Sequence, residues 1–217
     1  MNVLVACEFS GLIREAFRSR GHNAWSCDLL PTEDSSLNHF QCNIFDILGD
    51  RAILPLRKRW DLMIGHPPCD HLSLSGARWC KDHWVKSKKH PDGKYWHEGS
   101  SKRALREKAA EFFRCLWNQD IEKICLENPM SMASTLVTKR TQEIHPWQFG
   151  HPEQKTTWLW LKNLPHLIPT NLVYDQMMSL PSKERQKVWS MTPGPNRKND
   201  RSRTFQGIAQ AMAEQWG

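Results

Sequence analysis

Short apolar runs and helix-length connections alternate along this chain. Strands are predicted at residues 3–6, 23–26, 62–64 and 123–126. Apolar positions at helical spacing predict helices over residues 12–17 and 101–118. Strands that alternate with helices are typical of an α/β fold with a mainly parallel sheet and flanking helices. A chain of 217 residues can bury the core of a single domain, so one domain is predicted over residues 1–217.

Residues 61–75 place one cysteine where a buried strand ends in a rigid turn. The run at 62–64 is short and apolar, and ligands are expected at the carboxyl end of such a strand. Pro67 and Pro68 fix two φ angles and stiffen the turn that presents Cys69. A free cysteine is most often a small buried hydrophobe, so a packing role and a reactive role both fit this position.

Composition narrows the class of protein. The seven cysteines are an odd number and no charged-then-apolar leader precedes Val3, so a secreted disulfide scaffold is not predicted. We expect reduced thiols in a cytoplasmic setting. No apolar run approaches the length that crosses a bilayer, so no membrane partner is predicted. Five cysteines at predicted strand ends or helix faces are expected to be packing residues: Cys7, Cys27, Cys42, Cys115 and Cys125.

Positive charge is concentrated in two stretches. The formal net charge is +7, yet residues 78–114 hold eleven basic and five acidic side chains, and residues 183–203 hold seven and two. Within the first stretch, residues 78–101 have no clear periodicity and are predicted to be a long, Trp-rich binding loop. Basic segments with aromatic rings suit a polyanion whose bases stack on those rings. A solvated, Trp-rich surface would have the same composition.

The first predicted strand leads directly into a turn and a helix. Ser10 is placed to cap that helix, and Gly11 would allow the backbone to approach a ligand closely. An acidic residue about twenty positions after such a start binds ribose hydroxyls in nucleotide-type sites, and Asp28 is the candidate, although an Asp there is often only a turn former. Residues 39–47 are expected to supply a third strand end beside the same pocket. A short helix is predicted near residues 50–56.

A carboxylate follows the strand predicted at residues 123–126. Glu127 is succeeded by Asn128 and Pro129, and a Glu at the end of an apolar strand seldom lacks a role. Two interpretations are open at this point. Glu127 is either a functional acid near Cys69 or a carboxylate paired with a nearby Lys or backbone amide.

Five segments occur in the order of one family's motifs. EFSGLIREAF at residues 8–17 is similar to a Phe-x-Gly turn, DLMIGHPPC at 61–69 to a nucleophile motif, and ENP at 127–129 to a Glu-Asn-Val motif. FGHPEQKTTWLWL at 149–161 is similar to Gly-x-Pro-Gln-x-Arg-x-Arg before an apolar strand, and IAQAMAEQW at 208–216 to a closing helix. The set resembles the cytosine-5 DNA methyltransferase family.

The resemblance implies a Rossmann-like, S-adenosylmethionine-dependent fold and transfer of a methyl or related group to carbon 5 of cytosine in DNA. Cys69 would add to carbon 6, and Glu127, protonated through a raised pKa, would neutralise ring nitrogen 3. Lys155 takes the place of one of the family's active-site arginines. The family's cofactor contacts fall on Phe9, Ser10, Gly11, Asp28, Leu29, Asn43, Ile44 and Pro67. Its substrate contacts fall on Pro68, Asn128 and Thr157.

Several positions depart from the family's pattern. Asp70 replaces the Gln after the nucleophile, Thr157 replaces an arginine, and Asn43 replaces an Asp for which Asp46 is a competing alignment. The short, Pro-rich, basic segment 162–203 stands where family members carry a full recognition domain. The resemblance therefore implies a compact, phage-like enzyme that acts on single-stranded DNA or with low sequence specificity, relies on a protein partner for recognition, or modifies a free deoxycytidine nucleotide.

Two further classes of function stay open from the sequence. The replaced motif residues also fit a nucleic-acid-binding pseudoenzyme without transfer activity. A zinc protein is the other class, because Cys-x-His and then Cys-x-x-His occur in the chain, although this spacing is not a common finger pattern and would consume the proposed nucleophile. These residues are Cys69, His71, Cys80 and His83. We assign no metal ligands.

Overall fold

A seven-stranded sheet lies at the centre of the computed structural model, which describes residues 1–48 and 59–217. The described strands are β1 (Asn2–Ala6), β2 (Asn23–Asp28), β3 (His39–Gln41), β4 (Leu62–Gly65), β5 (His83–Lys86), β6 (Lys94–His97), β7 (Lys123–Pro129), β8 (Gln142–Ile144) and β9 (Thr157–Lys162). The large sheet has the order β3-β2-β1-β4-β7-β9-β8. Its first five strands are parallel, whereas β9 is antiparallel to both of its neighbours.

Helices cover both faces of this sheet. The described helices are α1 (Leu12–Arg18), α2 (Ser100–Trp117), α3 (Ala133–Leu136), α4 (Tyr174–Ser179), α5 (Ser182–Arg185), α6 (Lys187–Ser190), α7 (Arg197–Ser202) and α8 (Gln206–Trp216). Helices α1 and α8 pack on one face with Phe17 and Met212, and α2 packs on the other with Phe113. None of the described helices has both the length and the apolar character needed to cross a membrane.

The central strands are apolar because they are buried on both faces. Leu4 of β1 points to the layer that contains α2, while Val3 and Val5 point to the layer that contains α1 and α8. All three side chains are fully buried. Burial of each such side chain contributes about 1.5–3 kcal/mol, so a continuous apolar run is stable only in a sheet covered on both sides.

This architecture confirms the predicted Rossmann-like α/β fold with a mainly parallel sheet. From β1 the chain builds outward to β3 on one side, and it then returns to the centre to build β4 and β7 on the other side. Ligands bind α/β sheets at such a switch point, outside the carboxyl ends of the strands. The strands predicted after β1 and the closing helix at residues 208–216 are present as β2, β4, β7 and α8.

The segment predicted to be a long loop, residues 78–101, has regular structure. Strands β5 and β6 pair as an antiparallel hairpin, after a 3-10 helix at Leu74–Cys80 and before α2. The prediction of a loop is wrong because both faces of this hairpin carry polar or aromatic side chains, so the usual apolar alternation is missing. The segment 162–203 contains the four short helices α4 to α7. The helix predicted near residues 50–56 lies outside the described residues.

Candidate active site

The carboxyl ends of four adjacent strands place thiol, carboxylate and imidazole groups in one row. Ala6 of β1 is in register with Cys27 of β2 and with Gly65 of β4, which is in register with Leu126 of β7. The next residues along these strands and their ends are Cys7, Asp28, His66 and Glu127. Because this edge flanks the switch point of the sheet, it is the candidate active site.

Hydrogen bonds to backbone carbonyl groups hold the turn that presents Cys69. The Asn128 side-chain amide donates to the Pro67 carbonyl at 2.7 Å. The amides of Leu72 and Ser73 donate to the Cys69 carbonyl at 3.1 and 3.0 Å. Pro67 itself is buried, and Cys69 is half-buried. The turn is therefore fixed both to β7 and to the residues that follow it, with its thiol partly accessible.

The expected substrate contacts are only partly available to a ligand. Pro68 is exposed beside Cys69. Asn128 is 1% exposed and uses its amide on the Pro67 carbonyl, and Thr157 is 3% exposed and donates its hydroxyl to the Lys155 carbonyl at 3.3 Å. Both side chains bond to the protein's own backbone through these groups, whereas Asn128 Oδ1 is buried without a hydrogen-bond partner among the described residues. That Asn128 and Thr157 contact substrate stays a prediction.

The thiol of Cys69 has a raised pKa. Burial is the largest cause, and the negative charges of Asp70 and Glu127 raise the pKa further, while Lys155 lowers it. Asp70 is exposed and forms an ion pair with Lys198 at 2.7 Å. A thiolate is the reactive form of cysteine, so these neighbours keep Cys69 largely protonated until something removes its proton.

Replacing Asp70 by Asn is expected to lower the pKa of Cys69. The substitution removes a negative charge that raises this pKa and frees Lys198, whose charge also interacts with Cys69. Alkylation of Cys69 near neutral pH, followed by peptide mass spectrometry, should become roughly two- to tenfold faster. Asp92→Asn, an equal change of charge in the exposed hairpin turn, is the control. Equal alkylation rates in both variants would contradict this assignment.

Glu127 and His66 form a largely buried pair. His66 Nδ1 lies 2.8 Å from Glu127 Oε2, and the two side chains are 10% and 13% exposed. Burial acts to raise the pKa of Glu127, but the His66 hydrogen bond, the charge of Lys155 and the charge of His66 together lower it. The expectation of a raised pKa for Glu127 is therefore wrong. In this chain the histidine after β4 stabilises the ionised carboxylate.

Replacing His66 by Ala is expected to raise the pKa of Glu127. Burial remains the largest influence, whereas Lys155 is the one pKa-lowering group that stays. In the unmodified protein the lowered pKa contributes stability that is present above the unfolded-state pKa and is lost as the pH falls through the folded-state pKa. With a raised pKa the sign reverses, so the free energy of unfolding should decrease as the pH rises through it.

Urea unfolding of the His66→Ala variant over a series of pH values measures this change. The slope with pH is the informative quantity, because the lost packing of His66 lowers stability at every pH. His166→Ala, which removes an exposed histidine, should keep the pH dependence of the unmodified protein. If the slopes of both variants match that of the unmodified protein, His66 does not control the ionisation of Glu127.

His66 is also coupled to a second buried carboxyl group. Burial raises the pKa of Glu8, and His66 opposes this increase together with hydrogen bonds from the amides of Ile13 and Arg14 at 2.8 and 3.4 Å. Within the part of the chain that the structure describes, His66 Nε2 is buried without a hydrogen-bond partner. The sequence pattern does not single out His66, and its one signal is a position directly after a buried strand.

Lys155 supplies positive charge to the same group of side chains. Its charge lowers the pKa of both Cys69 and Glu127, as a cation near each of them must. Lys155 Nζ donates to the Arg201 carbonyl at 3.2 Å and lies 5.7 Å from the ring centre of Phe205. The three residues predicted to be catalytic are thus electrostatically coupled in the structure.

Apolar side chains and one carboxylate lie at or just beyond the ends of β1, β2 and β3. Phe9 and Ile44 are nearly buried, whereas Leu29 is 71% exposed. Asp28 Oδ1 accepts from the amide two residues further on at 2.9 Å, and Asn43 caps the 3-10 helix Ile44–Asp46 by the same geometry at 3.0 Å. Asp28 therefore forms a turn through one oxygen. Its carboxylate beside apolar groups suits the ribose and base of a nucleoside.

The turn after β1 differs from its expected arrangement. Glu8, rather than Ser10, satisfies the first amides of α1, and the Ser10 hydroxyl is only a weak acceptor, 3.4 Å from an amide. Gly11 has φ +75°, and a Cβ at this position would collide with the Arg14 guanidinium and the Asp34 carboxylate. The ion pair fills the space where a side chain would lie, so the protein's own packing already requires glycine at this position. That Gly11 contacts a cofactor stays a prediction.

Comparison with known proteins gives matches to solved structures alone. No family model matches this chain, and neither does any curated protein. One matching crystal structure is that of a protein assigned as a DNA modification methyltransferase and encoded within a prophage in E. coli. It is 15% identical, with a TM-score of 0.46. The match covers 84% of this chain and 56% of the other, so the present chain spans little more than half of that protein's length.

An aromatic cavity of about 540 Å³ opens beside the Cys69 turn and the end of β7. Pro129 and Ser73 both line this cavity. Pro129 is two residues beyond Glu127 and on the same side of β7, and the Ser73 amide donates to the Cys69 carbonyl. Its other lining residues include Met130, Thr156, Trp147, Tyr174 and Trp189. Its volume would accommodate a nucleoside-sized ligand, but Cys69, Glu127 and Lys155 are not among the residues that line it.

One histidine of the zinc alternative, His83, is engaged in other contacts. His83 Nδ1 lies 2.8 Å from the Lys81 carbonyl, and its ring packs near those of Trp79 and His97. Across residues 1–48 and 59–217, no group of three or more His, Cys, Asp or Glu side chains is arranged to hold a metal ion. The structure gives the zinc alternative no support.

Proposed function

We propose that this protein transfers a methyl group from S-adenosylmethionine to carbon 5 of cytosine in DNA through a covalent adduct with Cys69. The observation that supports this most directly is the electrostatic coupling of Cys69, Glu127 and Lys155 at the ends of β4 and β7 and just before β9. A thiol, a carboxylate and a cation are the groups that addition to a pyrimidine ring requires.

The addition step follows from the ionisation of these groups. The Cys69 sulfur forms a bond to carbon 6, and the electron pair of the C5=C6 bond moves to carbon 5 and into the ring. Because the pKa of Cys69 is raised, its proton must leave as the bond forms. The Glu127–His66 pair can take up this proton and return one to ring nitrogen 3, so no net proton is needed from solvent. Lys155 stabilises the negative charge throughout.

S-adenosylmethionine, when bound, supplies an electrophilic methyl group to carbon 5. Phe9, Leu29 and Ile44 would contact its apolar parts, and Asp28 would bind a ribose hydroxyl through its second oxygen. After methylation, the carbon 5 proton would pass to solvent, and the electron pair of that C–H bond would form the C5=C6 double bond again as the bond between carbon 6 and the Cys69 sulfur breaks. The proton on ring nitrogen 3 would return to the sulfur through the Glu127–His66 pair, so the products are methylated cytosine, the restored thiol, S-adenosylhomocysteine and one proton released to solvent.

Two linked measurements test this function. Protein incubated with methyl-labelled cofactor and, separately, duplex DNA, single-stranded DNA, RNA or deoxycytidine nucleotides should place label on carbon 5 of cytosine in DNA, as read by nucleoside mass spectrometry. DNA that contains 5-fluorocytosine should become covalently attached to Cys69, because fluorine cannot leave as the proton does.

Each other outcome has a defined meaning. Label on the exocyclic amine, or attachment to a residue other than Cys69, overturns the proposed chemistry. Label on free nucleotides alone would keep the chemistry and replace DNA by the alternative substrate. Tight DNA binding without measurable affinity for the cofactor would identify the pseudoenzyme.

A further inference from the structure

One face of the β5–β6 hairpin combines two indole rings with two ammonium groups. Trp84 is opposite Trp96 and Lys86 is opposite Lys94 in the antiparallel register. Residues two apart on a strand point to the same side, so these four side chains share one face of the hairpin. Trp84 is 60% exposed and Trp96 49%, and both lysines are exposed. Large exposed aromatic side chains at this density mark a binding surface.

The opposite face and the base of the hairpin hold it in place. The rings of His83 and His97 lie 5.7 and 5.1 Å from that of Trp79. At the base, Asp82 Oδ1 accepts from the Gly99 amide at 2.7 Å, next to the start of α2. The hairpin is therefore anchored without its outer face, and the outer tryptophans are available for contact with a partner.

We propose that this outer face is a stacking platform for unpaired bases of single-stranded DNA. The rings of Trp84 and Trp96 have centres 5.5 Å apart and an interplanar angle of 68°, so their faces point in different directions. Lys94 Nζ lies over the Trp84 ring, 5.0 Å from its centre, so a base that stacks on this face would displace the ammonium group toward the phosphate that follows the base. Every base has a π face, whereas a duplex encloses the faces of its bases.

A stacking platform on the hairpin would make single-stranded DNA the form of substrate in the proposed function. Its relevance to methyl transfer rests on that function. A free nucleotide has no chain of bases and phosphates to span such a face. The segment 162–203 is short for a recognition domain, and stacking binds a strand without reading its sequence. The outer face of the hairpin would therefore bind single-stranded DNA of any sequence, in addition to the contacts of the candidate active site.

The alternative is that the tryptophan pair only stabilises the hairpin, as aromatic cross-strand pairs do. A double comparison separates the two roles. In the Cys69→Ala background, binding is measured by fluorescence anisotropy for a labelled oligothymidylate, for the same sugar-phosphate chain without bases, and for a blunt duplex. The proteins compared are the parent, Trp84→Ala/Trp96→Ala, Lys86→Ala/Lys94→Ala and, as a control for an exposed apolar side chain elsewhere, Leu37→Ala.

We expect the parent to bind oligothymidylate more tightly than the abasic chain, by roughly five- to a hundredfold for each stacked base. The double Trp variant should bind both chains equally, and the Lys variant should lose affinity for both with a weaker dependence on salt. Equal losses for both chains in the Trp variant, an unchanged preference for bases, or an equal loss for the duplex would each overturn the inference. Base-dependent binding without any methyl transfer would overturn only the proposed function.

Discussion

The Cys69→Ala variant is expected to lose methyl transfer by roughly 10⁴-fold or more while it keeps its fold and its affinity for the cofactor. Carbon 5 of cytosine is a poor nucleophile until sulfur adds at carbon 6, so no other group in the site can replace this bond. Cys69 is half-buried, and its turn is held by backbone and Asn128 hydrogen bonds that do not involve the thiol. Single-turnover transfer of labelled methyl groups measures the loss, and calorimetry measures cofactor affinity.

A matched variant makes this result specific. Cys115→Ala removes another half-buried thiol, on α2, and should transfer at the rate of the unmodified protein. Transfer by Cys69→Ala at more than a small fraction of the normal rate would exclude a covalent route. Loss of cofactor affinity in the same variant would instead indicate that the turn has collapsed, and thermal unfolding distinguishes that case.

The Glu127→Gln variant is expected to lower the transfer rate by roughly 10²- to 10⁴-fold, the usual contribution of a general acid–base group. The amide has the same shape but cannot carry a proton to ring nitrogen 3. The substitution also removes a charge that raises the pKa of Cys69, so thiol alkylation should become faster as transfer becomes slower. Opposite changes in these two rates are not expected from a merely damaged fold.

The control for this variant is Glu122→Gln, which changes an exposed carboxylate five residues earlier in the chain. Transfer rates and alkylation rates are measured on both proteins over a range of pH. Transfer by Glu127→Gln within a few-fold of the unmodified protein would remove Glu127 from the chemistry. Equal slowing of transfer and alkylation would point to a blocked site.

The sequence was sufficient to predict the apolar strands β4 and β7, which precede Cys69 and contain Glu127 at the carboxyl end. These two strands are adjacent and parallel, so their carboxyl ends lie side by side at one edge. The sequence could not reveal whether the pKa of Glu127 is raised or lowered. The direction of that shift depends on His66, which is 61 residues away in the chain. Burial alone raises the pKa, and one hydrogen-bonded histidine with a nearby lysine is enough to reverse the direction.

Other differences have the same origin in contacts between distant residues. The Arg14–Asp34 pair fills the space where a side chain at Gly11 would lie, and the sequence does not reveal this contact because Asp34 lies beyond the second strand. The β5–β6 hairpin lacks an apolar face, so no period of two is visible in its hydrophobicity. Elements with an apolar face, such as α2 and β7, were predicted correctly because burial determines both their pattern and their position.

The hydrogen bond from Asn128 to the Pro67 carbonyl has a mechanical consequence. Asn128 is adjacent to Glu127, and Pro67 is two residues before Cys69, so this 2.7 Å bond links the backbone beside the carboxylate to the backbone beside the thiol. In the proposed reaction, the spacing between Cys69 and Glu127 would then be set before the nucleotide arrives. The rate of transfer would depend on how readily the DNA strand bends to bring its base into that fixed gap.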